Sequence, residues 1–257
     1  MRYAKDTYSI SPERDIPLLL AVRNAKFATH GQLYEMMFLA GREYSRDSFN
    51  WRMKRLRQGQ FVATCNGNFG RGEIVYRITQ SGLLQLEDHG HFAAVLNSIT
   101  EHLPHATQVH HALELNAIHL ALTRANLLAS WQSDVETASV NTISRTPLEK
   151  DYDAVVDVWN EQKIARFGLE YERTLKSARQ YGQIRKKLER DQSLGCVLYL
   201  TAGMDVAVHL SYELSGIPKR LAFATAPEFR SKLLETPVLV HPDQPSTPFR
   251  SLLHGVF

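Results

Sequence analysis

The sequence predicts an α+β protein with an α/β portion: a helical N-terminal part, then a mixed sheet flanked by helices. Three observations carry this. Before about residue 95, apolar residues recur at helical spacing, interrupted by one pair of short strand-like runs around a glycine-rich turn. After about residue 130, strand-like and helix-like stretches alternate. One of them, Gly195-Cys196-Val197-Leu198-Tyr199-Leu200, is an uninterrupted apolar run, as a strand covered on both faces requires. The chain has 257 residues and 44% apolar content, enough for two packed cores.

Composition narrows the classes. No run reaches the roughly 18 apolar residues of a membrane span, and MRYAKDTYSISPERD has no apolar core like that of a signal peptide. A cytoplasmic protein is expected. Cys65 and Cys196 lie far apart in no metal-binding pattern, which predicts buried thiols. Net charge is only +3, so bulk charge does not announce a nucleic-acid binder. Its distribution says more: Arg52, Lys54, Arg55 and Arg57 crowd together, and Arg71 follows in the glycine-rich turn.

In order, Pro12-Glu13-Arg14-Asp15 opens a first helix with Leu18, Leu19, Leu20 and Val22 inward. Thr29 caps a second through Leu39. Ser45 starts a third, with Phe49, Met53 and Leu56 on its apolar face, and Gly59 ends it. Phe61–Thr64 and Ile74–Ile78 form a hairpin across Asn66–Gly72, and Thr79-Gln80-Ser81-Gly82 opens another helix. Three helices, a hairpin and a closing helix resemble a winged helix-turn-helix, including the ending Tyr76-Arg77-Ile78-Thr79-Gln80-Ser81-Gly82. The resemblance implies double-stranded DNA as partner. The third helix would lie in the major groove, with Arg46 and Asn50 reading bases, Arg52, Arg55 and Arg57 serving the phosphates and Lys54 as a further DNA-binding residue, while Arg71 reaches out from the wing tip.

Val109–Leu128 reads as a helix containing Glu114. His105, His110 and His111 lack the second histidine of a zinc-protease pattern. Trp131–Val140 reads as a strand and Asn141–Leu148 as a loop. Asp153–Trp159 and Ile164–Glu172 read as strands joined by a turn at Asn160–Lys163. Thr174–Arg190 reads as an amphipathic helix with Leu175, Ala178, Tyr181, Ile184 and Leu188 inward. Val206–Leu214 is a helix and Arg220–Thr225 a last strand. The proline-rich remainder reads as an irregular tail. The expected divisions are 1–95, 96–230 and 231–257.

Chemistry concentrates between Asp153 and Tyr181. The period of two in a strand puts Glu170 and Glu172 on one face. With Asp153 nearby, buried acids of this density call for a cation. The element order, with acids at these places, resembles the restriction-endonuclease-like PD-(D/E)xK core. A winged helix followed by Leu169-Glu170-Tyr171-Glu172 and Lys176-Ser177-Ala178-Arg179-Gln180-Tyr181 is similar to the replication-relaxation family, which includes the MOB-C relaxases of mobile plasmids. The resemblance implies Asp153 and Glu170 as ligands of Mg²⁺ or Mn²⁺, with Glu114 as an added acid from the preceding helix. Glu172 stands where a lysine is usual and Lys176 takes that lysine's place. Tyr152 replaces the motif proline. Tyr181 is a second-layer or covalent partner, or core. The implied activity is metal-dependent nicking or cleavage of DNA in plasmid mobilisation or replication. The alternatives are a catalytically inert DNA-binding regulator with a degenerate nuclease fold, and an adaptor that uses the winged helix for protein contacts. The partners this admits beyond DNA are a second copy in a homodimer and other mobilisation or replication proteins.

Overall fold

The structure is a computed structural model that describes residues 9–65, 67, 69, 72–93, 105–144, 147–241 and 243–253. It forms two compact units, Met1–Asn116 and Ala117–Phe257.

In the first unit the helices are α1 (Asp15–Ala25), α2 (His30–Leu39), α3 (Arg46–Gln58) and α4 (Gln80–Asp88). Local signals set their ends. Thr29 and Gln32 form a reciprocal capping box on α2, and the Ser45 hydroxyl accepts from the Ser48 N–H at the start of α3. A small sheet, β1 (Ala28–Thr29), β2 (Val62–Thr64) and β3 (Val75–Ile78), runs in the order β1-β3-β2, antiparallel throughout. The two-residue β1 is too short to announce itself in the sequence. The Thr-x-x-Gly ending has a steric reason. Thr79 Oγ1 caps the Gly82 N–H at 3.1 Å, and a Cβ on Gly82 would stand 2.2 Å from the Phe61 carbonyl oxygen. Arg71 and most of the wing tip lie outside the described residues.

Helix α5 (Ala106–Arg124) runs from the first unit into the second. Its first part completes the first unit: Val109 and Ala112 pack on Phe27 and Val75, and Asn116 Nδ2 donates to the Phe27 carbonyl at 2.8 Å.

The second unit is a five-stranded mixed sheet in the order β4-β5-β6-β7-β8: β4 (Leu128–Ser133), β5 (Ala154–Asn160), β6 (Lys163–Glu172), β7 (Cys196–Thr201) and β8 (Arg220–Thr225). The first three strands are antiparallel neighbours; β6, β7 and β8 are parallel, joined through α7 (Ala178–Arg190) and α8 (Met204–Glu213). All of β7 is buried, as its apolar run predicts. Tyr181 and Leu188 of α7 and Val206, Ala207, Leu210 of α8 join Val155, Val197, Tyr199 and Phe223 in one core.

Three sequence expectations are corrected here. The strand read over Trp131–Val140 stops at Ser133, where a Ser133–Glu136 capping box starts α6 (Asp134–Ile143). That signal outweighs the strand-forming residues that follow. The helix read from Thr174 begins only at Ala178, because Ser177 and Gln180 make another capping box; Leu175 and Ala178 are therefore exposed rather than inward. The tail is more built than irregular. It holds α9 (Ala226–Lys232), a short pairing of β9 (Pro237–Val238) with β10 (Thr247–Pro248), and α10 (Phe249–Leu252). Phe249 is buried, with ring centroids 5.0 Å from Phe167 and 6.1 Å from Phe229.

Candidate functional site

The residues singled out by the sequence fall in two places, one in each unit. On α3, burial of Phe49, Met53 and Leu56 turns Arg46, Asn50, Trp51, Lys54 and Arg57 outward. Arg46 lies over the Tyr34 ring at 4.5 Å, and Asn50 Oδ1 is 2.7 Å from His30 Nε2. Arg52 is a correction. It is only 2% exposed, forms an ion pair with Glu43 at 2.9 Å, lies 3.9 Å from Asp15 and donates to the Arg14 carbonyl. Burial lowers its pKa, against the opposing pull of Glu43. Arg55 is also turned inward: its guanidinium holds Asp15 and the Ser9 carbonyl. These two arginines neutralise buried acids, which leaves Arg46, Lys54 and Arg57 as exposed cations of α3.

The second surface is the acid centre. Asp153 immediately precedes β5, and Glu170 and Glu172 end β6. The register Ala154↔Leu169 puts Asp153 level with Glu170 on adjacent strands, on the same face. Asp153 Oδ2 accepts the Tyr171 N–H at 2.8 Å. Burial, with Asp153 adding to it, pushes the Glu170 carboxyl well up, although Lys150 pulls the other way. Each glutamate has its own lysine: Lys150 pairs with Glu170, and Lys176 with Glu172. Lys176 precedes α7 rather than lying one turn inside it, and its N–H donates to the Tyr181 hydroxyl at 2.9 Å. Tyr181 is buried in the core, so its hydroxyl positions this loop. Glu114 lies on α5, in the part that belongs to the first unit.

Two residues of this centre escaped the sequence reading. Lys150 fell between the loop read to Leu148 and the strand read from Asp153; it is buried, with its ammonium 4.9 Å from the centre of the Tyr152 ring. Tyr199 sits beside Glu170 in the β6–β7 register. It is 2% exposed and its hydroxyl has no hydrogen-bond partner among the described residues. Burial, and the negative charges of Glu170, Glu172 and Asp153, hold that phenol well above its usual pKa. A hydroxyl inside an apolar run is a readable signal, since buried tyrosine hydroxyls normally find partners. Tyr152, in the place of the motif proline, is structural: it is fully buried and its hydroxyl donates to Asp191.

Among the described residues, no three His, Cys, Asp or Glu side chains gather in a metal-binding group. The cations that the buried glutamates require are supplied at least in part by lysines. Both cysteines are free, and burial raises the Cys196 thiol to about 12. No helix among the described residues is long and apolar enough to cross a membrane.

A family model described as replication-relaxation matches residues 19–192, well over half the chain. The chain belongs to the replication-relaxation family. The matched span takes in α3 and the acid centre through α7, and stops before β7 and Tyr199. Membership ties the protein to plasmid replication or relaxation, a DNA-directed role. Neither the curated proteins nor the solved structures contain a match.

Proposed function

We propose that this replication-relaxation protein binds double-stranded DNA through the exposed face of α3, and nicks or cleaves it at the acid centre with Mg²⁺ or Mn²⁺. The observation that carries the catalytic half is that Asp153 stands level with Glu170 on adjacent strands, with the unpartnered Tyr199 hydroxyl on the next strand beside Glu170. Two carboxylates suffice for such a cation, since Mg²⁺ keeps several waters and takes substrate phosphates as further ligands. The donor set fits: Glu170 is a half-buried carboxylate already disfavoured by its neighbour Asp153, so an arriving dication relieves both.

Asp153 and Glu170 would hold the ion. Once bound, it would polarise the scissile phosphate and acidify a water. The chain's own residues do the rest. Lys150, released from Glu170, offsets charge developing on the phosphate. Lys176 keeps Glu172 neutralised. The Tyr199 hydroxyl, unpartnered among the described residues, would turn to a Glu170 oxygen once the ion displaces Lys150, and so hold that carboxylate in place. On the first unit, Arg46 and Asn50 face base edges, and Lys54 and Arg57 face phosphates.

Calorimetric titration of Mn²⁺ into wild type and Glu170→Ala, run beside nicking of supercoiled plasmid DNA, tests this reading. The expected result is metal binding and nicking in wild type, both lost in Glu170→Ala with DNA affinity kept. One observation favours a second reading, an inert DNA-binding regulator: Lys150 and Lys176 already neutralise both glutamates. DNA binding indifferent to metal, with no nicking, would select it.

A further inference from the structure

The outward side of α7 takes no part in the acid centre or the core, and its composition is unusual. The helix carries Arg179, Arg185, Lys186, Lys187 and Arg190 against the single acid Glu189, whereas the whole chain has a net charge of only +3. Arg185 is engaged with the Glu213 and Ser215 carbonyls. Arg179, Lys186 and Arg190 are not: they are exposed, and among the described residues no hydrogen bond or ion pair engages their side chains. At 100° per residue, these three and Gln183 fall on one narrow stripe, opposite the buried Tyr181 and Leu188. The stripe rises about 16 Å along the helix.

Gly182 borders this stripe in the middle of the helix. A Cβ added there would meet nothing within 4 Å. The fold therefore gives no packing reason for a residue that weakens a helix by about 1 kcal/mol relative to alanine. A glycine without an internal reason fits the close approach of another chain's backbone.

We infer that the outer face of α7 is a second DNA-binding surface, a track for a phosphate backbone that starts beside the acid centre. The helix follows Lys176, the partner of Glu172, and Tyr181 accepts from the Lys176 N–H, so Arg179 stands within one turn of the anchored loop. Arg179, Lys186 and Arg190 meet successive phosphates, and Gly182 lets the strand lie close. The inference rests on DNA as the ligand and not on a metal or on cleavage.

The test is fluorescence anisotropy of a labelled DNA duplex with a single-stranded extension, measured against salt on the full chain. The proteins are wild type, Arg179→Gln/Lys186→Gln/Arg190→Gln, Gly182→Gln, and the α3 variant Arg46→Ala/Lys54→Ala/Arg57→Ala. The α7 triple variant is expected to keep its melting temperature, while the slope of log K against log salt falls by about 2–3, three contacts at roughly 0.7–0.9 each. Gly182→Gln is expected to melt about 2–4 °C higher yet bind DNA more weakly, a combination that a structural glycine does not give. Unchanged affinity and slope in the α7 triple variant, with binding still sensitive to the α3 variant, overturn this inference alone. Absence of DNA binding by wild type overturns it together with the DNA reading of α3.

Discussion

Arg52→Ala separates architecture from recognition on the same helix. Arg52 lies within a basic cluster of the sequence, but its guanidinium is buried against two carboxylates that are themselves buried, Asp15 and Glu43. Asp15 would keep Arg55 and the Ser11 N–H. Glu43 would keep the Tyr44 N–H and, as a cation, Arg14, 3.7 Å away on a side chain that is 55% exposed. Breaking a buried pair from one side costs about 3–5 kcal/mol. Because Asp15 retains partners, we expect the lower end, about 3 kcal/mol. A unit of this size is stabilised by roughly 5–15 kcal/mol, so its melting transition should fall by roughly 12–24 °C. Differential scanning calorimetry of the full chain reads this directly. Lys54→Ala and Arg57→Ala, exposed on the same helix, should stay within about 0.5 kcal/mol of wild type and instead weaken DNA binding. If Arg52→Ala melts within about 3 °C of wild type while losing DNA affinity, the buried-network account is wrong and Arg52 is a DNA contact.

Three further outcomes are expected. Gly168→Ala should cost about 1–3 kcal/mol in urea unfolding, since its Cβ would press within 2.8 Å of the Tyr152 ring, which has no room to retreat. His119 stacks on Trp131 at 4.7 Å, and burial lowers its pKa to about 4. Between about pH 6.5 and 4 the unfolded chain therefore binds a proton that the folded chain refuses, and stability falls as pH falls, by at most about 1.4 kcal/mol per unit. His119→Phe should flatten that part of the urea-midpoint profile; an unchanged profile would mean the imidazole titrates normally. Tyr199→Phe removes an unpartnered buried hydroxyl, so melting temperature should rise while metal-dependent nicking falls; a variant that loses stability would reveal a hydrogen bond to that hydroxyl.

Much of this fold was legible because its signals are local. Thr29, Ser45 and Gly59 mark helix ends by chemistry that acts within four residues, and short apolar runs mark β5 and the second half of β6, which are buried almost throughout. The misreadings have the same origin. Val135, Thr137 and Val140 favour a strand by type, yet a capping box decides the conformation before those preferences act. Ser177 likewise sets the start of α7 four residues later than the charge pattern suggests. Short β1 exists only because β3 is there to pair with it.

The site was legible to the extent that it is a strand property. Glu170 and Glu172 share a face by the two-residue period of a strand, which the sequence shows, and the pairing of β5 with β6 brings Asp153 level with Glu170. What neutralises them is tertiary. Lys150 reaches Glu170 from 20 residues away, and nothing near Lys150 announces the contact. The same limit misassigned Arg52 and Arg55: a basic cluster on a helix looks uniform in sequence, and only the burial of Asp15 and Glu43 divides it into arginines that hold the fold and cations left for a ligand. That division bears on how charge should be read across the whole chain. An arginine facing a buried acid is spent within the fold, whatever the local charge density. The cations to weigh for DNA are the exposed ones that no acid engages among the described residues. By that criterion Arg46, Lys54 and Arg57 on α3 and Arg179, Lys186 and Arg190 on α7 stand together, although the sequence pattern drew attention only to the first group.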